Sequence, residues 1–176
     1  MRATRIALAI ALCMASASAI SRICWTAYRC NVDKKIADRS LKRVMENASN
    51  EAQQQAGAMT VPSLTRCVEK EPQDYEAWTL LGLAQDMAGQ KSAALSSYNT
   101  ALALNERPEL YANVGLLYLE TGQPRAARRA FLLACSFNLV YSDLVDSPLR
   151  SELRTEVEAR RARLGGTPDP VRRRMR

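Results

Sequence analysis

Five cysteines are the residues of this chain best equipped for chemistry, because a thiol can act as a nucleophile, bind a metal or pair with a second thiol. They stand at positions 13, 24, 30, 67 and 135. No C-x-x-C occurs among them, so neither a compact redox motif nor a paired-cysteine zinc site is spelled out. The chain has no histidine, which removes the commonest general base near neutral pH and the commonest metal ligand. Serine-hydrolase triads, Cys-His proteases and H-E-x-x-H zinc sites are therefore excluded in their usual forms. G-x-x-x-x-G-K-[ST] and G-x-G-x-x-G phosphate loops are missing as well. The expectation is a protein with no catalytic residues, no metal and no cofactor. Pairing or packing is what remains for the cysteines, and the elements that carry them decide which.

The first segment reads as an export leader. Arg2 and Arg5 make a positive start, Ile6 to Ala15 is an uncharged run, and Ala17-Ser18-Ala19 supplies the small residues of a cleavage point after Ala19. The run is shorter than the roughly 20 residues of a membrane-spanning helix, and an uncleaved inner-membrane anchor is the alternative. Leu12 before Cys13 and Ile23 before Cys24 are not the small residues a lipoprotein signal needs. Export would put the remaining cysteines where thiols oxidise. Cys24 and Cys30 fall on a segment, residues 20–32, expected to be irregular, and a local disulfide between them is the preferred expectation. Cys67 and Cys135 fall on helices two units apart, beyond the roughly 7 Å Cα limit for a bridge, and are expected as small buried residues. Pairing of Cys30 with Cys67 requires a first helix that is shorter or bent.

A repeat organises the middle of the chain. Trp78, Gly82, Gly89, Gln90, Ala94, Tyr98 and Ala101 recur thirty-three positions later as Tyr111, Gly115, Gly122, Gln123, Ala127, Phe131 and Ala134. Trp78-x-x-Leu81-Gly82 and Tyr111-x-x-Val114-Gly115-x-x-Tyr118 set a large side chain one helical turn before an apolar one, with glycine admitting a close neighbour. Ala94-x-x-x-Tyr98 and Ala127-x-x-x-Phe131 do the same on a second helix, where alanine lets two axes approach. Gly89 and Gly122 stand between the two helices, where a positive φ can end the first. Each unit is expected to be a helix hairpin.

These residues resemble the tetratricopeptide repeat family, whose pattern of Trp, Leu-Gly, Tyr, Ala, aromatic, Ala and Pro they follow from about Tyr75 to Asn138. Gln85 and Glu106 depart from the first unit's expected Tyr and Pro. The resemblance implies an all-α, right-handed array of helix hairpins. Repeats are expected at 72–106 and 107–140, after a degenerate hairpin over 33–71 that stability requires, since about three units are needed to bury a continuous core. Ala37, Leu41, Val44, Met45, Ala48 and Ala52 form a stripe that predicts a long first helix from about Asp33 to Gln55. A capping helix is expected within 141–164, opened by Ser147 and Pro148, with Leu149, Leu153, Val157 and Leu164 inward and Arg150, Glu152, Arg154, Glu158 and Arg161 outward. Residues 165–176 read as a disordered basic tail.

The resemblance also implies a concave groove lined by the first helices, taking a partner peptide or helix. On those helices Glu76, Thr79, Leu83, Asp86 and Met87, then Glu109, Ala112, Asn113, Leu116, Leu119 and Glu120, face away from the packing columns. The groove is expected to be apolar at its floor and acidic at its lips, suited to a protein partner with apolar anchors and basic residues. Family members that clamp a terminal carboxylate use lysines, arginines and asparagines, and only Asn113 here is of that kind. The formal net charge is +7, with its excess in the tail, where Arg172, Arg173, Arg174 and Arg176 could meet anionic lipid through charge alone. Without interleaved aromatics, no specific nucleic-acid recognition is expected. The expected role is a binding adaptor, exported to a periplasm. By analogy with exported family members, it would serve a secretion, pilus or outer-membrane assembly of a bacterial envelope. A membrane-associated scaffold directed by the tail is the alternative.

Overall fold

The computed structural model describes the backbone of residues 2–163 and the side chains from Ile20 onward, except those of Arg22 and Ile23. The described residues form seven α-helices and one 3-10 helix, with no strand among them. The chain divides into two compact units, Met1–Ala88 and Gly89–Arg176. The basic tail, Leu164 and the Gly165–Pro170 stretch lie outside the described residues.

The first unit holds α1 (Arg2–Asn47), α2 (Asn50–Lys70) and α3 (Tyr75–Met87). α1 runs unbroken through residues 20–32, so the irregular segment expected there is helix, and the cleavage point expected after Ala19 lies within it. The long helix expected over about 33–55 also stops early. Ser49 takes extended backbone angles, and its side-chain oxygen accepts from Ala52 N, starting α2. Ala48 and Ala52 prolong the apolar stripe across this junction, but a stripe of alanines fits either side of a break and an N-cap oxygen does not. Asp74 caps α3 in the same way, accepting from Glu76 N at 3.0 Å and Ala77 N at 3.2 Å. Leu41, Leu64, Cys67, Ala77, Leu81 and Ala84 pack into one buried cluster, with Trp78, Leu83 and Met87 against its edge. Gly57 brings α2 close to α3: a Cβ there would lie 2.5 Å from the Ala84 carbonyl oxygen and 2.7 Å from Ala88 N.

The second unit holds α4 (Lys91–Leu104), α5 (Pro108–Glu120), α6 (Pro124–Phe137), the 3-10 turn Leu139–Leu144 and α7 (Ser147–Arg163). Pro108 and Pro124 begin their helices, where a missing N–H costs nothing. Gly122 ends α5 at φ 71°, and the bonds from Gly122 N to Leu119 O and from Gln123 N to Tyr118 O close the helix end. Gly89 has the matching φ of 77°. Ala112, Ala127, Phe131, Ala134, Cys135, Leu153 and Val157 form the core, edged by Tyr111, Leu116, Tyr118 and Leu149. Gly115 lies under Phe131, whose ring carbons would stand 2.8–3.0 Å from an added Cβ.

The repeat expected at 72–106 therefore gives α3 to the first unit and α4 to the second.

Candidate partner-binding surface

The geometry corrects the expected pairing of the cysteines. Cys24 and Cys30 are six residues apart on α1, which separates them by about 9 Å along the axis and turns their side chains to different faces. They cannot bridge, and both are free thiols, Cys24 exposed and Cys30 buried. The neighbour of Cys30 is Cys67: the Cys67 thiol donates to the Cys30 carbonyl oxygen at 3.9 Å. Burial, a hydrogen bond with the Cys30 side chain and the nearby charges of Asp33 and Glu71 push the Cys67 thiol up to about 12. Cys135 is fully buried in the second unit. Burial raises its pKa and Asp143 adds to the shift, while Arg154 opposes it. Among the described residues no cluster of His, Cys, Asp and Glu could hold a metal.

Ala94, Tyr98 and Ala101 on α4, and Ala127, Phe131 and Ala134 on α6, are buried, as are Leu81, Gly82 and Gly115 on the first helices. Trp78 is half-buried and donates from its indole N–H to the Pro72 carbonyl at 2.9 Å, holding the turn that leads into α3. Tyr111 and Tyr118 are half-buried against the second core. Burial raises the Tyr111 pKa, and the charge and hydrogen bond of Glu106 add to the shift. Glu106, a departure from the repeat pattern, thus has a local partner.

The residues expected to line a groove divide by helix. On α3, Glu76 is exposed, Thr79 donates its hydroxyl to the Tyr75 carbonyl at 2.8 Å, Asp86 is half-buried, and Leu83 and Met87 rest on the first core. On α5, Glu109, Asn113, Leu116 and Glu120 follow one another at steps of four, three and four, which is one helix face. Asn113 is half-buried, Leu116 leans on the second core and Leu119 reaches the surface. Ala112 is only 2% exposed and belongs to that core, so its small side chain is not available to a ligand.

The acidic lips are matched within the chain. Glu76 meets Lys34 at 3.5 Å, Glu109 meets the Arg107 guanidinium at 2.7 Å and Glu120 pairs with Lys91. Their charge is partly neutralised, so attraction for a basic partner is weaker than the bare sequence suggests. Lys34 also holds Asp74 at 2.5 Å, joining α1 to the cap of α3. Burial alone would lower the pKa of Lys34, but the hydrogen bonds and charges of Asp74 and Glu76 outweigh it and leave the pKa raised.

Two features escape a reading by repeat column. Arg150 and Arg154, expected on a solvated outer face of α7, do stay partly exposed there, and they also bind the 3-10 turn and the Val145 cap that ends it. Arg154 donates to the Ser142 hydroxyl at 2.8 Å and to Asp143 at 2.9 Å, and Arg150 donates to the Val145 carbonyl at 3.0 Å. The second feature is apolar exposure: Leu133 and Phe137 on α6, with Val140 and Leu144 beyond it, are exposed, Phe137 by 54%. The step of four between Leu133 and Phe137 was a sequence signal for a shared face. Trp25 and Tyr28 on α1 are exposed too. Among the described residues, no helix is long and apolar enough to cross a membrane.

The tetratricopeptide repeat family matches residues 108–140, the segment of α5 and α6. Among solved structures, the crystal structure of MamA protein matches with 21% identity and a TM-score of 0.50, over 84% of this chain and 98% of that one. Another MamA crystal structure matches with 23% identity and a TM-score of 0.46, over 71% and 88%. The CopN-Scc3 complex matches with 22% identity and a TM-score of 0.44, over 69% and 75%. No curated protein matches the chain.

Proposed function

We propose that this all-α array of tetratricopeptide-type helix hairpins is a non-catalytic adaptor that binds a partner protein through the open face of α5. The observation that carries the proposal is the stripe of Glu109, Asn113, Leu116 and Glu120, with Leu119 beside it. All five side chains keep solvent-facing atoms after the core has taken Ala112, Val114, Gly115 and Leu117, and Leu116 contributes an apolar edge. An apolar strip with amide and carboxylate groups at its margins suits a partner helix or extended peptide. Because Lys91 and Arg107 already answer two of the carboxylates, apolar anchors contribute more to affinity than basic ones. The leader-like Arg2 to Ala19 supports export as the setting, and the partner would then belong to an envelope assembly.

The test must spare the core. Leu116 packs against it, so a charge there would unfold the unit. Asn113→Arg with Leu119→Ser alters only the open face. Tagged wild type, this double variant and a Leu133→Ser, Phe137→Ser control would be used for affinity capture from the envelope fraction, after circular dichroism has shown that all three fold. The expected result is one specific protein lost from the α5 variant and retained by the control, on a chain whose mature N-terminus is Ile20. Capture that is unchanged in the α5 variant, or lost only in the control, would remove α5 as the site.

A further inference from the structure

We propose that Cys30 and Cys67 are a disulfide site that staples α1 to α2. The two residues are the only cysteines of the first unit, among the described residues, that share its buried cluster. They are 4% and 1% exposed, and the Cys67 Sγ already reaches the Cys30 backbone at 3.9 Å. α1 and α2 run antiparallel from the Ala48-Ser49 junction, so the pair closes the far end of the hairpin from the turn. Cys24 is exposed on a different face of α1, and Cys135 is buried in the second unit. Neither competes for the pairing.

The staple meets a need of this part of the fold. The first hairpin carries the weakest repeat signature, and a terminal unit of an array has a neighbour on one side only. A covalent link between residues 30 and 67 restricts the unfolded chain across the whole hairpin and stabilises it without any added apolar area. Two buried thiols with no bond between them would fill the same space but leave the hairpin free to open.

The co-reactant is a disulfide donor, either a small-molecule disulfide or a dithiol-disulfide exchange protein. One cysteine thiolate attacks the donor's S–S bond, forming a mixed disulfide and releasing one donor thiolate. The second cysteine thiolate then attacks the protein-side sulfur of that mixed disulfide and releases the other donor thiolate. One Sγ–Sγ bond forms as one donor S–S bond breaks, the protein loses two electrons to the donor, and the two cysteine protons end on two donor thiols. The exchange precedes complete packing, because the folded pair is shielded and the Cys67 thiol is hard to ionise.

The experiment uses the full chain, unfolded in urea with reductant and refolded in a mixture of reduced and oxidised glutathione. Remaining thiols are alkylated in denaturant, and peptides are mapped by mass spectrometry. The expected result is a Cys30–Cys67 linked peptide with Cys24 and Cys135 alkylated, and an apparent Tm that falls by about 5–10 °C on reduction. A Cys24→Ser variant keeps both the link and the Tm difference. Alkylation of Cys30 and Cys67, a link from either one to Cys24 or Cys135, or loss of the link in Cys24→Ser would overturn the proposal. None of these outcomes depends on whether α5 binds a partner.

Discussion

Gly57, Gly115 and Gly122 impose three different demands, and one substitution separates them. At Gly57 an added methyl meets backbone atoms of α3, which cannot swing aside. At Gly115 it meets the Phe131 ring, itself fully buried. At Gly122 it meets nothing within 4 Å, and only the positive φ resists. The helical pair regain about 1 kcal/mol of helix propensity on becoming alanine, set against overpacking of about 1–3 kcal/mol or more. The expected order of destabilisation is Gly57→Ala at about 2 kcal/mol or more, Gly115→Ala at about 1–2 kcal/mol and Gly122→Ala at about 1 kcal/mol. Chemical-denaturation midpoints check it, and a Gly57→Ala protein as stable as wild type would contradict the close approach of α2 to α3. Gly115 and Gly122 were legible from the repeat columns. Gly57 was not, because its reason lies in a helix far along the chain rather than in any local pattern.

At the scale of elements, charged side chains on α7 do more than face water. Arg154 ties the helix to the preceding 3-10 turn through Ser142 and Asp143, and Arg128 on α6 reaches Glu152 and Glu156 on α7. Replacing Arg154 by alanine should cost about 1 kcal/mol, from two hydrogen bonds at a partly exposed site. Lysine should not restore it, since an ammonium cannot present the planar fork that meets both oxygens. Thermal melts of the two variants check this, and full rescue by lysine would show that charge alone suffices. The periodicity of Leu149, Leu153 and Val157 was enough to predict the helix and its inner face, and Leu153 and Val157 are buried as expected. The role of its arginines was hidden, because an i, i+4 arrangement of charges looks the same whether it faces water or a neighbouring turn.

For the molecule as a whole, the shifted groups define a stability plateau. Glu156 is held below the usual carboxylate range chiefly by its hydrogen bond from Arg160, with burial opposing and Arg128 adding to the lowering. Its contribution is present above the ordinary carboxylate value and is lost as pH falls through the depressed one. In the reduced protein Cys67 titrates at about 12 against an ordinary 9.0, so the unfolded chain ionises first and stability declines from about pH 9 upward. Lys34, raised from 10.5, adds to that decline as pH climbs through its folded value. Urea midpoints measured from pH 3 to 11 should be flat in the middle and fall at both ends, with a shallower alkaline fall once Cys67 is in a disulfide. An alkaline limb unchanged by oxidation would speak against that coupling. The sequence by itself determined the helix hairpins, their glycine ends and their buried alanine and aromatic columns, because these follow from periodicities of a few residues. Only the tertiary structure decided which cysteine meets which, that Lys34 closes on Asp74, that Ala112 is sunk in the core and that the groove carboxylates are already paired. Each of those depends on which residues two separate helices bring within a few ångströms, and no local spacing encodes that register.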